Sequence, residues 1–157
     1  MLELDTNVLV RFLVRDDEAQ FERAQCLIQK EFRHRNPIFI SLLVLLETEW
    51  VLRSRYALTK DEILRTFSGL LDSLEISIED EPTIERALFL WKNSSGDFAD
   101  CLIGARHLQL GCRATASFDR RALRLPGFIP VWPLTQIVAP AKLALLSIVY
   151  EIPQGGI

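Results

Sequence analysis

Four acidic residues stand where the surrounding sequence is mostly apolar or where a strand appears to turn into a helix. They are Asp5, Glu47, Asp100 and Asp119. Carboxylates that converge in one cleft repel one another unless divalent cations neutralise them, and sites built only from oxygen ligands suit Mg²⁺ or Mn²⁺. If the fold brings these residues together, we expect a Mg²⁺ site that also accepts Mn²⁺. Asp97 is a further candidate ligand.

Asp5 and Asp119 each follow a predicted strand and begin a predicted helix. For either residue alone the simpler interpretation is a helix N-cap, because aspartate is preferred there. In open α/β sheets, however, ligands bind outside the carboxyl ends of the strands. Capping and metal binding are compatible, since each needs only one carboxylate oxygen.

Glu47 is harder to explain as an ordinary surface residue. Its helical neighbours three and four positions away are Leu43, Val44, Trp50 and Val51. A lone carboxylate in such surroundings is unfavourable unless it is paired or bound to a metal, and the alternative is a protonated glutamate in the core. Glu49 differs, because Arg53 follows it by four residues and a surface ion pair would account for it.

Asp100 lies in the first turn of a helix whose predicted N-cap is Asp97, where the helix dipole favours a carboxylate. Gly104, one turn further on, leaves room for a group to approach Asp100. The histidines make no site with these acids. His34 follows the end of a helix, and His107 lies two turns from Asp100, roughly 10 Å away at helical rise.

The elements that must position these residues alternate along the chain. Predicted strands cover 1–4, 38–41, 75–78, 112–118 and 129–132. Predicted helices cover 6–15, 16–33, 42–56, 59–74, 81–92, 97–111 and 119–124. This alternation predicts an α/β fold with a mainly parallel sheet, and it places Asp5 and Asp119 at strand ends.

Composition narrows the class of protein. The 157 residues are 49% apolar, carry a net charge of −3 and predict one domain. With no overall basic excess, any nucleic-acid site must be a local patch or a metal site. The odd number of cysteines, with no C-x-x-C pair, argues against a disulfide framework or zinc. We find no secretion signal and no membrane span, so we expect a cytoplasmic protein.

Four stretches, taken together, resemble PIN-domain ribonucleases, specifically the VapC-type toxins of bacterial type II toxin–antitoxin systems. They are LDTNVLVRFLVRDD (4–17), ISLLVLLETEWVLRSRY (40–56), GDFADCLIGARHLQLGC (96–112) and TASFDRRAL (115–123). The resemblance implies a PIN-like three-layer α/β/α sandwich over residues 1–135, with a four- or five-stranded, mainly parallel sheet. Residues 136–157 form an extension beyond the usual family end, predicted to be helical around 140–151.

The resemblance also implies an activity and partners. The activity is Mg²⁺-dependent endonucleolytic cleavage of RNA that leaves 5′-phosphate and 3′-hydroxyl ends, by one metal ion or two. The partners are a small cognate antitoxin and a second copy of the chain. For this homodimer we predict an interface on the helices that begin near Leu42 and Thr59, since the first is apolar over most of its circumference and therefore expected to be largely buried.

Individual roles follow residue by residue. Catalytic and metal-binding roles carry over to Asp5, Glu47, Asp100 and Asp119, and supporting roles carry over to Thr6, Asn7 and Ser117. Arg121 stands where many relatives have aspartate. Either Asp100 or Asp119 could accept a proton from the attacking water.

Arginines would hold the RNA backbone. Residues 101–125 contain five arginines and one acid, whereas residues 72–85 are acidic and contain no lysine or arginine. Such segregation is what a phosphate-binding face on an acidic protein requires. The predicted backbone contacts are Arg11, Arg120 and Arg121, although any single helical arginine is more simply an ordinary surface residue.

Two other functions fit part of the pattern. A catalytically inactive PIN-like module would bind RNA or protein without cutting, and the full set of acids argues against it. A haloacid-dehalogenase-type phosphatase would also place an aspartate after the first strand. It needs a second aspartate two residues later, where this chain has Asn7.

Overall fold

A computed structural model describes residues 1–131 of the chain. The strands are β1 (Leu2–Glu3), β2 (Ile38–Ile40), β3 (Ile76–Ile78), β4 (Thr115–Ser117) and β5 (Phe128–Pro130). The helices are α1 (Thr6–Val14), α2 (Glu18–Arg33), α3 (Leu42–Arg55), α4 (Lys60–Leu71), α5 (Glu81–Lys92) and α6 (Phe98–Gln109). The extension predicted at 136–157, with its helix at 140–151, lies outside the described residues.

Every strand pair in the described range is parallel. Hydrogen bonds join β1, β2 and β3 in that order, and β4 pairs separately with β5. The predicted α/β class with a parallel sheet is therefore confirmed. All five predicted strands are present, but within residues 1–131 their hydrogen bonds form a group of three and a group of two.

Each α-helix from α1 to α6 begins at a side chain that accepts a hydrogen bond from the first turn, which satisfies an otherwise unpaired backbone N–H. These N-caps are Asp5, Asp17, Ser41, Thr59, Asp80 and Asp97. Asp5, Ser41 and Asp80 directly follow the segments containing β1, β2 and β3. The carboxyl edge of the sheet therefore carries a row of polar side chains.

Some predicted bounds were wrong by a few residues. The helix predicted to start at Asp16 begins after the cap Asp17, and the helix predicted to reach Leu74 ends at Leu71. The segment 119–124 forms only a single 3-10 turn, Ala122–Arg124. Gly111 lies just beyond α6 with a left-handed φ of 77°, a conformation that suits a glycine after the end of a helix.

The core forms where the strands meet the helices, and it is rich in aliphatic and aromatic side chains. Phe98 packs its ring against Phe67 and Trp91, with centroids 5.5 and 5.2 Å apart. Burying such rings contributes strongly to stability, and Phe98 directly follows the Asp97 cap, so this packing also fixes the start of α6. No helix within residues 1–131 is long and apolar enough to cross a membrane.

Candidate metal centre

Glu47 is linked to the end of β1 through Thr6. The buried Thr6 hydroxyl donates a hydrogen bond to Glu47 Oε2 at 2.5 Å. Asp5, the preceding residue, is exposed and accepts the Val8 backbone N–H at 2.9 Å. The bond between Thr6 and Glu47 therefore joins the carboxyl end of β1 to the middle of α3, across 41 residues of sequence.

Asp97, Asp100 and Asp119 form a second group of carboxylates. The Asp100 backbone N–H donates to Asp97 Oδ1 at 3.1 Å. Burial, with the nearby negative charges of Asp97 and Asp119, raises the pKa of Asp100 to about 6 from its ordinary 3.8, and Arg121 partly offsets the rise. The start of α6 and the end of β4 thus concentrate negative charge that nearby arginines neutralise only in part.

One cavity has a candidate ligand from each group in its lining, but Asp5, Asp100 and Asp119 do not line it. It lies between α3 and the start of α6, has a volume of about 330 Å³, and is lined by both Glu47 and Asp97. Glu47 is exposed, so it is not the buried core glutamate of the simpler alternative. Its apolar neighbours Leu43 and Trp50 are exposed beside it, 76% and 58% respectively. The expectation that α3 is largely buried was therefore wrong for this face.

A tight turn holds Asp119. Its backbone N–H donates to Ser117 Oγ at 3.0 Å, and its Oδ1 accepts the Arg121 N–H at 2.7 Å. Arg120 and Arg121 are both exposed at this turn. A basic surface therefore borders the acidic group, an arrangement in which phosphates can lie beside a metal site.

The chemistry of this donor set fits a hard cation. All the candidate ligands are carboxylate oxygens. Burial and, after it, the negative charges of Asp97 and Asp119 raise the pKa of Asp100, and a divalent ion would offset that unfavourable charge. In the described part of the chain, no three acidic, histidine or cysteine side chains already stand close enough together to hold a metal ion by themselves. The structure therefore does not gather the four predicted ligands into one ready site, and their convergence on a cation stays a prediction.

Asn7 and Arg11 lie in a different place from the acids. Both line a cavity of about 340 Å³ between α1 and α2. Arg11 forms an ion pair with Asp16 and donates to Gln20 Oε1 at 2.8 Å and to Tyr56 Oη at 2.9 Å. With its charge already paired, Arg11 is poorly placed to hold an RNA phosphate. The predicted contacts with the RNA backbone that we retain are those of Arg120 and Arg121, which follow β4.

Comparison with known proteins covers most of the chain. A family profile described as PIN domain matches residues 2–127. The chain belongs to the PIN-domain family. The VapC ribonuclease of Aquifex aeolicus (strain VF5), a curated relative, is 28% identical over 130 residues, which are 83% of this chain and 95% of the relative. The resemblance stated from the motifs is thus confirmed, and the matched range contains every candidate ligand.

The prediction for Glu49 in this PIN domain was partly wrong. Its pair with Arg53 exists, with Nε donating to Oε1 at 2.8 Å, but the Glu49 side chain is only 3% exposed. The pair is therefore not a surface pair on the glutamate side. A signal was present, since Glu49 has Leu45 and Leu52 at helical neighbour positions, both buried.

Asp100→Asn is expected to raise the Tm of the metal-free PIN domain at pH 7. The pKa of Asp100 is about 6 in the folded protein and about 3.8, the ordinary value, in the unfolded chain. The parent therefore loses stability as the pH rises from about 4 to about 6, and this loss persists at higher pH. This difference in pKa, with its effect on stability reduced by about half because the carboxylate is partly exposed, corresponds to an increase in Tm of roughly 3–6 °C. Calorimetry in EDTA measures the difference.

At pH 3.5 the difference from Asp100→Asn should nearly vanish, since both side chains are then mostly neutral. Asp61→Asn is the matched control, because Asp61 is an exposed first-turn acid of α4. It should change Tm little at either pH. If the Tm of the parent rose relative to that of Asp100→Asn between pH 4 and pH 6, the raised pKa of Asp100 would be contradicted.

Proposed function

We propose that this PIN domain is a Mg²⁺-dependent endoribonuclease that acts as the toxin of a toxin–antitoxin pair. The observation that carries the proposal is the junction of distant carboxylates around one cavity, with Thr6 tying Glu47 to the end of β1 and Asp97 facing the same space. The family membership and the similarity to a VapC ribonuclease support it.

The residues proposed to hold Mg²⁺ are Asp5, Glu47, Asp100 and Asp119, with Asp97 as a further ligand. Bound Mg²⁺, or Mn²⁺ in its place, would lower the pKa of a water and stabilise charge on the phosphoryl oxygens. Thr6 orients Glu47 by its hydrogen bond, and Ser117 holds the backbone of the Asp119 turn. Asn7, on α1, keeps its predicted supporting role and is not a proposed ligand.

Either Asp100 or Asp119 could accept the proton of the attacking water. Arg120 and Arg121 would bind the phosphates on either side of the cleaved bond, because both are exposed beside Asp119. The products would carry 5′-phosphate and 3′-hydroxyl ends.

An inactive module remains the second candidate. The observation in its favour is that, within residues 1–131, no three potential ligands stand together as a ready metal site. The purified full-length chain, freed of any antitoxin, should cut single-stranded RNA with Mg²⁺ and not with EDTA. No cleavage under any divalent cation would reject the nuclease and leave the binding module.

The cognate antitoxin and the cytoplasmic location stay predictions that go with this function. An active nuclease would damage its own cell's RNA unless restrained, and an antitoxin that covers the cleft would restrain it. Purification of the chain with the product of a neighbouring reading frame would test the pairing. An RNA-cutting activity unaffected by that product would contradict it.

The homodimer also stays a prediction. Of the two helices in its predicted interface, we favour α4, because the exposed face of α3 lines the carboxylate cavity. Between α4 and α5 lies a groove of about 660 Å³ that includes Leu64 and Phe89, the latter 67% exposed. We expect the full chain to sediment as a dimer at micromolar concentration and Phe89→Ser to weaken it. A parent that sediments as a monomer would contradict the prediction.

A further inference from the structure

Trp50 presents an aromatic surface beside the candidate ligands. It lies on the same face of α3 as Glu47, one turn later, and is 58% exposed. Its side chain lines the cavity that Glu47 and Asp97 share. Exposed aromatic rings next to a nucleic-acid site are the usual platforms on which unpaired bases stack.

Arg53 completes that cavity with hydrogen-bond donors held in place. Its Nε donates to Glu49 at 2.8 Å, and Glu49 is a buried carboxylate for which the cleavage mechanism has no use. Within residues 1–131 the two terminal amino groups of Arg53 have no hydrogen-bond partner. Glu49 therefore acts as a positioning residue that fixes the guanidinium plane and leaves these donors free.

The groups that line the cavity indicate which part of a nucleotide would enter it. Its charged lining comprises the carboxylates Glu47, Glu49 and Asp97 and a single guanidinium, from Arg53. Glu47 and Asp97 are committed to the proposed cation, and Glu49 holds Arg53. The surface that remains for a nucleotide is an aromatic wall and a pair of donors, which suit a neutral base. Leu43 and Leu46 provide further apolar surface.

We infer that this cavity is a nucleobase subsite, in which the base next to the cleaved phosphate stacks on Trp50 and accepts hydrogen bonds from Arg53. The inference rests on the proposed function and adds a specificity determinant to it. Guanine fits best, because its O6 and N7 acceptors match the paired donors of an arginine. The base would lie beside Glu47 and Asp97, with its phosphate towards Arg120 and Arg121.

Cleavage of a randomised single-stranded RNA library with Mg²⁺, followed by sequencing of the cut ends, tests the subsite. The parent should enrich guanine at one position next to the cut. Arg53→Lys keeps the charge but lacks the planar pair of donors, so it should flatten that enrichment while cutting continues. Trp50→Ala should raise KM about tenfold or more, and Trp50→Phe should restore most of the loss. Unchanged enrichment in Arg53→Lys, with unchanged KM in Trp50→Ala, would overturn the inference.

A second readout does not depend on cutting. In a Trp132→Phe background, a guanine-containing hexaribonucleotide should quench indole fluorescence when Trp50 is present and much less after Trp50→Phe, since the remaining Trp91 is buried. Quenching without any library cleavage would keep the subsite and reject the nuclease. Equal quenching in both proteins, or none in the parent, would reject the subsite. A shift of Trp50→Ala to monomer in sedimentation, with KM and base preference unchanged, would instead assign Trp50 to a contact between copies.

Discussion

Glu47→Gln is expected to lower Mg²⁺-dependent RNA cleavage by at least about a hundredfold, more than is typical for the loss of a residue that only supports a ligand. Glutamine can still accept the Thr6 hydrogen bond, but it offers a cation no negative charge. Because Glu47 is exposed, the free energy of unfolding should change by no more than about 0.5 kcal/mol. Single-turnover cleavage and urea unfolding of the metal-free protein measure both quantities.

Three variants set the scale for this loss. Glu49→Gln, only two positions away, should continue to cut RNA, since its carboxylate faces Arg53 rather than the ligand group. Thr6→Val removes the hydroxyl that orients Glu47 and should cost about 10- to 100-fold, whereas Thr6→Ser should retain activity. Parental cleavage by Glu47→Gln would show that Glu47 is not a ligand and that the assignment of the four acids is wrong.

Arg53→Met is expected to lower the free energy of unfolding by about 2–3 kcal/mol, because it leaves the buried Glu49 charge without its partner. The value lies below the usual range for a buried pair, since the Arg53 side chain is 50% exposed. The reverse change, Glu49→Gln, should cost less than about 1 kcal/mol. It leaves an arginine that water can solvate and an amide oxygen that still accepts its hydrogen bond.

The double variant Glu49→Gln with Arg53→Met should recover most of the stability lost in Arg53→Met alone, since no buried charge then remains. Urea unfolding of the parent, the two single variants and the double variant gives the coupling energy directly. If Arg53→Met were no more destabilising than Glu49→Gln, the claim that Arg53 compensates the buried carboxylate of Glu49 would be wrong.

The positions of the elements could be read from the sequence because local signals agree. Asp5, Thr59 and Asp97 are good N-caps that stand directly before apolar periodic segments, and each begins a helix in the structure. Helix ends were less predictable. After Leu71 the segment 72–75 has no strong stop, and where α4 ends is decided by its packing on β3 and α5.

The rotation of α3 could not be read in the same way. Apolar residues surround this helix, so no single face identifies the core side. Glu47 and Glu49 both have apolar helical neighbours, and only tertiary packing decides that Leu45 and Leu52 are buried while Trp50 is exposed. From the sequence, Glu47 was expected in apolar surroundings and Glu49 at the surface, whereas the structure exposes Glu47 and buries Glu49. This reversal follows from the rotation of α3.

Arg11 was expected to contact the RNA backbone, and its contacts with other side chains explain why we no longer favour that role. In the sequence it stands only six residues after the first candidate ligand, Asp5, which favours a role at the site. In the structure it is held by Asp16 and by Tyr56, which is 45 residues away. The exposed Arg120 and Arg121 were assigned from local charge alone, and their surroundings remain compatible with that assignment.

Titration of Mn²⁺ into the full-length, metal-free chain, followed by electron paramagnetic resonance of the free ion, tests most directly whether the carboxylates of β1, α3, α6 and β4 form one cation site. The parent should bind Mn²⁺ in competition with Mg²⁺. Glu47→Gln, Asp100→Asn and Asp119→Asn should each weaken binding by at least about tenfold, and Glu49→Gln should bind as the parent does. If the parent binds no Mn²⁺, or if these variants bind it as tightly as the parent, the proposed metal centre is wrong.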